Sequence, residues 1–100
     1  MTDTPPQITL EDHGLKGRYV IRPDGEGEEA ELTYSRASDT LIIVDHTGVP
    51  DAFRGRGYGR FLAERVVADA REKGFKIVPL CPFFKAQADR HPDWADVISG

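Results

Sequence analysis

The sequence predicts an α+β fold: an antiparallel β-meander, a helical crossover to a parallel strand, then short C-terminal helices. Three observations carry that prediction. Runs of strand character fill the first half of the chain, with turn residues between them. One long stretch of helical periodicity (Leu62, Ala63, Val66, Val67, Ala70) follows a glycine-rich turn. A further apolar run, Lys76 to Cys81, stands behind that helix, so it can lie parallel to the strand before it.

Each element has its own signal. Residues 1–6 are polar with two prolines and predict a loose tail, leaving residues 7–100 as one folded domain. Gln7 to Asp12 alternates Ile8 and Leu10 with polar neighbours, as an edge strand does. His13-Gly14 and Gly17 bracket a turn into Arg18 to Arg22, which Pro23-Asp24-Gly25 ends. An acidic connection through Glu29 leads to Ala30 to Arg36, with Leu32 and Tyr34 on one side. Ser38-Asp39 turns the chain into Thr40 to Val44, a buried strand that can extend through Asp45, His46 and Thr47. On the helix, Arg60, Glu64, Arg65, Asp69, Arg71 and Glu72 form the expected solvent face. Gly74, preceded by Arg71 and Lys73, is its expected stop. Pro82 opens a short helix, Phe83 to Arg90, and Pro92 starts a last turn holding Trp94, Val97 and Ile98.

Composition narrows the class of function. With 39% hydrophobic and 30% charged residues, the chain has the make-up of a globular domain rather than a disordered one. It has no apolar run long enough to span a membrane and no basic-then-apolar leader, so a cytoplasmic protein is expected. One cysteine excludes an internal disulfide, and the histidines have no metal-ligand spacing beside it. A net charge of −4 argues against general nucleic-acid binding. The expected assembly is a monomer or weak homodimer.

The stretch Val49 to Gly59, running into the helix, concentrates the chemistry. Strand, glycine turn and helix follow in that order, and a helix start offers free N–H groups and a positive dipole end to an anion. Glycines let a phosphate approach the backbone, while Arg54, Arg56 and Arg60 add positive charge. A dinucleotide fingerprint would need glycine at position 60, where Arg60 stands, and no Gly-Lys-Ser/Thr triplet exists for a Walker loop. The remaining pattern is Arg54-x-x-Gly57-x-Gly59.

That pattern resembles the Arg/Gln-x-x-Gly-x-Gly/Ala signature of the GNAT acetyltransferases. His46-Thr47-x-Val49-Pro50, Cys81-Pro82-Phe83 and Arg90-His91-Pro92 extend the resemblance to a short, YjdJ-type branch of that superfamily, over roughly residues 17 to 98. The resemblance implies a minimal GNAT fold in which the strands before and after the helix splay apart. Acetyl-coenzyme A would enter there as co-substrate, with an amine as acceptor. Its pantetheine arm would pair with backbone around Thr47 to Val49 like an added strand. Its pyrophosphate would meet Arg54, Gly55, Arg56, Gly57, Tyr58, Gly59 and Arg60. A backbone N–H near Val49 would polarise the thioester carbonyl, and Phe83, with Phe84, would line the cleft. The chain departs from longer relatives in lacking helices between its first strands and strands after its last helix. It also carries Gln87 where many relatives place the tyrosine that protonates the departing thiolate.

Two side chains are candidates for catalysis. Cys81, at the cleft end of its strand, could act as nucleophile, as proton donor to coenzyme A, or simply as a small core residue. His46 could take a proton from an attacking ammonium, or could anchor the strand end through a hydrogen bond, the role favoured here. His91 reads as a local cap, Asp45 and Asp51 as weaker bases, and His13 as a turn residue. A non-catalytic coenzyme A-binding module is the alternative function. Nucleic-acid binding through the arginine–glycine run is a distant third, because that run sits between a strand and a helix rather than in a disordered tract.

Overall fold

A computed structural model describes residues 6–23 and 27–99 of the chain. The five strands β1 (Thr9–Asp12), β2 (Lys16–Ile21), β3 (Ala30–Ser38), β4 (Leu41–Gly48) and β5 (Lys76–Pro79) form one sheet in sequence order. All neighbours are antiparallel except β4 and β5, which are parallel and joined across helix α1 (Tyr58–Lys73). The predicted α+β order therefore holds.

Short local signals build the hairpins. The β1–β2 turn closes with His13 N–H donating to Lys16 O, while Gly14, at φ 86°, donates its N–H to Asp12 Oδ1. Gly17 is needed for a different reason: a Cβ there would lie 2.4 Å from the Tyr34 hydroxyl oxygen. The Pro23-Asp24-Gly25 turn lies partly outside the described residues. The β3–β4 ladder carries two irregularities, an extra Ala37 on β3 and an extra Asp45 on β4, where Thr33 pairs with His46 but Tyr34 with Val44.

Helix α1 buries Leu62, Ala63, Val66, Val67 and Ala70 against Tyr19, Ile21, Leu32, Tyr34, Ile42 and Val44 on one face of the sheet. It ends at Gly74, φ 80°, whose N–H returns to Ala70 O. Asp69 corrects the expected solvent face: it is buried, accepting the Tyr19 hydroxyl at 2.8 Å and Arg65 Nε at 3.2 Å. Burial first, and then the Asp69 carboxylate, push the Tyr19 phenol far above its ordinary range.

Behind α1, β5 ends sooner than expected and Cys81 becomes the N-cap of α2 (Pro82–Asp89), with Pro82 at its first position. A 3-10 turn, Pro92–Asp96, follows, and Ile98 then forms a parallel bridge to Ile77 on the outer side of β5. Phe84, Trp94 and Val97 join the α1 cluster, so both helices share one core. The other sheet face carries a lattice in which Arg18 contacts Glu11, Glu29 and Glu31 while Arg22 contacts Glu11 and Glu29. Val20 points to this face by alternation between Arg18 and Arg22, yet is only 1% exposed. Among the described residues no helix is long and apolar enough to cross a membrane.

Candidate functional site

Parallel pairing of β4 with β5 runs from Leu41–Lys76 to Val44–Pro79. The Cys81 N–H still reaches Val44 O at 2.9 Å, but beyond it the chain turns into α2 while β4 continues against β3 alone. The two strand ends separate at this parting. Thr47 and Cys81 meet there, the thiol donating to Thr47 Oγ1 at 3.5 Å. Cys81 is 3% exposed and Thr47 half-buried. One residue beyond β4, the Val49 N–H meets no backbone acceptor among the described residues, and Val49 itself is exposed.

The extra Asp45 decides which neighbours face Cys81 at the parting. Thr47 pairs with Leu32, a core residue, and so lies on the helix side of the sheet. His46 pairs with Thr33 and lies on the open side. His46 therefore lies on the opposite face of the sheet from Thr47 and its partner Cys81. No hydrogen bond holds the His46 ring among the described residues, so the expected anchoring role is not what the structure gives. Its Nε2 instead lies over Gly48, 3.1 Å from where a Cβ would stand.

From Val49 the chain makes a 3-10 turn, Asp51–Phe53, and reaches α1 through Gly55 (φ 85°) and Gly57 (φ 76°), both in the left-handed region that glycine enters without steric cost. Gly57 is the N-cap and has no side chain to offer. The helix ladder begins with Phe61 N–H to Gly57 O, leaving the N–H groups of Tyr58, Gly59 and Arg60 without a helical acceptor, and no acidic residue stands in the first turn. Gly59 sits against Phe83, where a Cβ would fall 2.6 Å from the ring. Arg54 is held loosely by Asp51 at 2.8 Å, with both side chains largely in solvent. Arg56 lies over the Phe53 ring and Arg60 over the Phe61 ring, at 5.5 and 5.1 Å from the centroids.

Val49, Arg54, Gly55 and the run Gly57 to Arg60 line a single cleft of about 320 Å³ together with Phe83. Arg56 lies on a neighbouring cavity of about 560 Å³, which shares Tyr58 and Arg60 and adds Arg22 and Phe61. Sequence reasoning singled out neither of these two, because only the β2 end folding against α1 brings them here. Phe84 is core, stacked on Trp94 at 6.0 Å, and does not line the cleft. His91 does cap locally, its Nδ1 donating to Gln87 O at 2.7 Å near the end of α2 while its ring stacks on Trp94. Two of the three tyrosines serve elsewhere. Tyr19 bonds Asp69; Tyr34 bonds Asp12 at 2.7 Å, and burial pushes its phenol up to about 12; Tyr58 packs on Phe53 at the helix start.

Comparison with known proteins agrees with this geometry. The family described as GCN5-related N-acetyl-transferase matches residues 18–97. The chain is similar to Protein NATD1 of Xenopus tropicalis, 28% identical over 90% of this chain and 83% of that protein. Protein NATD1 of Homo sapiens is 27% identical over 85% of this chain and 75% of that protein. A GCN5-like protein of Staphylococcus aureus, solved in solution by NMR, superposes with a TM-score of 0.70 at 34% identity, covering 92% of this chain and 88% of that one.

Proposed function

The chain belongs to the GCN5-related N-acetyl-transferase family, and on that premise we propose that it binds acetyl-coenzyme A in the cleft between β4, β5 and α1 and transfers the acetyl group to an amine. The observation that carries this reading is the start of α1: three N–H groups without helical acceptors, two left-handed glycines and no acidic residue in the first turn, on a cleft whose lining carboxylate, Asp51, is paired with Arg54. An uncapped, acid-free helix start suits a diphosphate and suits little else. The residues fit the ligand. Tyr58, Gly59 and Arg60 supply backbone donors, Arg54 and Arg56 supply charge, and the strand end from Thr47 to Val49 supplies backbone for an extended arm.

Direct attack is the favoured chemistry. A carbon–nitrogen bond forms between the amine and the acetyl carbon, the carbon–sulfur bond breaks, and the amine nitrogen loses a proton. The Val49 N–H stabilises negative charge on the carbonyl oxygen. Cys81, held by Thr47, donates its proton to the departing thiolate and recovers one from solvent. His46, on the open face at the same strand end, is the base suited to an ammonium arriving from that side.

The test is thermal unfolding with increasing acetyl-coenzyme A, followed by an amine screen for released thiol. A ligand of the folded state stabilises by about 2.7 kcal/mol at one hundred times its Kd. No shift at millimolar ligand would overturn the assignment. For Cys81, acetyl-coenzyme A without amine should leave no acetylated protein, and Cys81→Ala should slow turnover about 10²-fold with cofactor affinity intact. A stable acetyl adduct on Cys81 would instead establish covalent catalysis. The second reading, a coenzyme A-binding module without catalysis, is favoured by one observation: Tyr19 and Tyr34 are committed to Asp69 and Asp12, and Tyr58 lies at the α1 start packed on Phe53 rather than beside Cys81. Ligand stabilisation with no thiol release across the amine panel would select it.

A further inference from the structure

The ion-pair lattice on the open sheet face has one acceptor left over. Glu11 uses both carboxylate oxygens, one on Arg18 Nε at 2.7 Å and the other on Arg22 at 3.0 Å. Glu29 does the same, giving one oxygen to each arginine. Glu31 engages Arg18 through Oε1 alone, at 2.7 Å, and its Oε2 meets no donor among the described residues. Three carboxylates against two guanidiniums leave one negative charge in surplus. The unshared oxygen belongs to Glu31.

Register puts Glu31 beside the reacting end of β4. It pairs with Gly48, and the next residue is Val49, whose N–H serves the thioester carbonyl in the acetyl-transfer reading. Gly48 has no side chain to cover this spot: a Cβ there would lie 3.1 Å from His46 Nε2 and 4.0 Å from Glu31 Cγ. A base and a carboxylate therefore flank one small gap. The His46 ring has no hydrogen bond among the described residues, and Glu31 has an oxygen to offer. Arg18 holds that carboxylate in position, so presenting it to a ligand costs little further rotamer freedom.

We propose that Glu31 binds the ammonium of the acceptor, and that the acceptor is an ω-alkylammonium, a primary amine ending an aliphatic chain with no carboxylate close to it. A lysine side chain and a polyamine share that chemistry. The carboxylate holds the cation over Gly48 beside His46, which takes its proton before the nitrogen attacks. An amino acid would bring its own carboxylate against Glu31, where Arg18 and Arg22 are already committed to the lattice. This rests on the acetyl-transfer reading and adds to it the class of acceptor.

Steady-state acetyl transfer by the full chain to propylamine and to β-alanine tests it, the two being alike in length and basicity but not in charge. Wild type should prefer propylamine by about tenfold or more in kcat/KM, the scale of one charge-assisted hydrogen bond. Glu31→Gln keeps an oxygen for Arg18 and should reduce that preference to about threefold or less, the loss falling on KM for propylamine rather than on kcat. Equal wild-type values, with thiol released from both amines, would overturn the charge selection and leave acetyl transfer standing. A preference unchanged in Glu31→Gln, or an equal loss for both amines, would return Glu31 to a purely structural place in the lattice. No thiol release from any amine would remove the proposal and the acetyl-transfer reading together. Nα-acetyl-lysine amide and diaminobutane separate the two sources of the ammonium. The better acceptor of that pair should itself lose about tenfold in kcat/KM in Glu31→Gln, and no loss would overturn the proposed class. The wild-type ratio decides the charge selection even if the variant fails to fold.

Discussion

Two groups of arginines in this molecule are treated in opposite ways. Arg18 and Arg22 on the open sheet face are shared among three glutamates, and Val20 between them is buried. Arg56 and Arg60 at the start of α1 have aromatic rings beneath them and no carboxylate beside them among the described residues. Folding stability accounts for the first group, because a paired charge and a covered apolar side chain both favour the native state. It gives no account of the second, where cations are gathered at a helix end that already carries positive potential. Charges assembled against their own repulsion point to an anion that is not part of the chain.

The sharpest way to break this contrast is Gly59→Val. Its side chain would overlap the Phe83 ring and cover the N–H groups the diphosphate needs, so acetyl-coenzyme A affinity should fall by about 100-fold or more, some 2.7 kcal/mol. Overpacking should cost about 1–3 kcal/mol of stability as well, and calorimetry on the folded variant separates the two. Arg56→Ala comes next: about 1–3 kcal/mol lost for acetyl-coenzyme A and much less for a pantetheine thioester lacking the nucleotide. Equal losses for both ligands would show that this arginine does not meet phosphate.

Arg18→Ala probes the other group, and its effect should be the mirror image. Urea unfolding should show a loss of about 1 kcal/mol, the scale of a surface ion-pair network with its packed stem, with ligand affinity unchanged. The smallest effect at neutral pH is the response to acid. Hydrogen bonds from Arg18 hold Glu11 and Glu29 below the ordinary carboxylate range, and the Gly14 N–H does the same for Asp12. A lowered folded pKa contributes stability that is fully present above the unfolded value, about 4, and is lost as pH falls through the folded values. Acid titration of Tm should therefore be flat above about pH 5 and decline below it, and the decline should be shallower in Arg18→Ala.

Much of this was legible in the sequence, and the misses have a common cause. Element order, the α1 stripe, the Gly74 stop and Pro82 at the head of α2 are local patterns, read within a few residues of one another. The glycine turn was equally local, and the structure places Gly55 and Gly57 in the left-handed conformation their residue type allows. Asp69 was misjudged because its partner, Tyr19, lies 50 residues away and nothing beside Asp69 announces it. The lattice joining Glu11, Arg18, Glu29 and Glu31 is a cross-strand object, invisible until register is set. The same is true of the Ile77–Ile98 bridge and of Arg22 on the larger cavity beside the α1 start.

The extra residue on β4 has a reach that its size does not suggest. A strand assigns its side chains to two faces by parity, so one inserted residue reverses the assignment of everything after it. Substituting Asp45 preserves the count and leaves Thr47 toward Cys81. Drawing Asp45 into regular pairing, with no residue removed, would exchange the roles, turning His46 inward to the thiol and Thr47 out to the open face, whereas deleting Asp45 leaves both where they are. Which functional group meets the sulfur is thus set by whether one residue is paired or looped out, a property of register rather than of the side chains at the site.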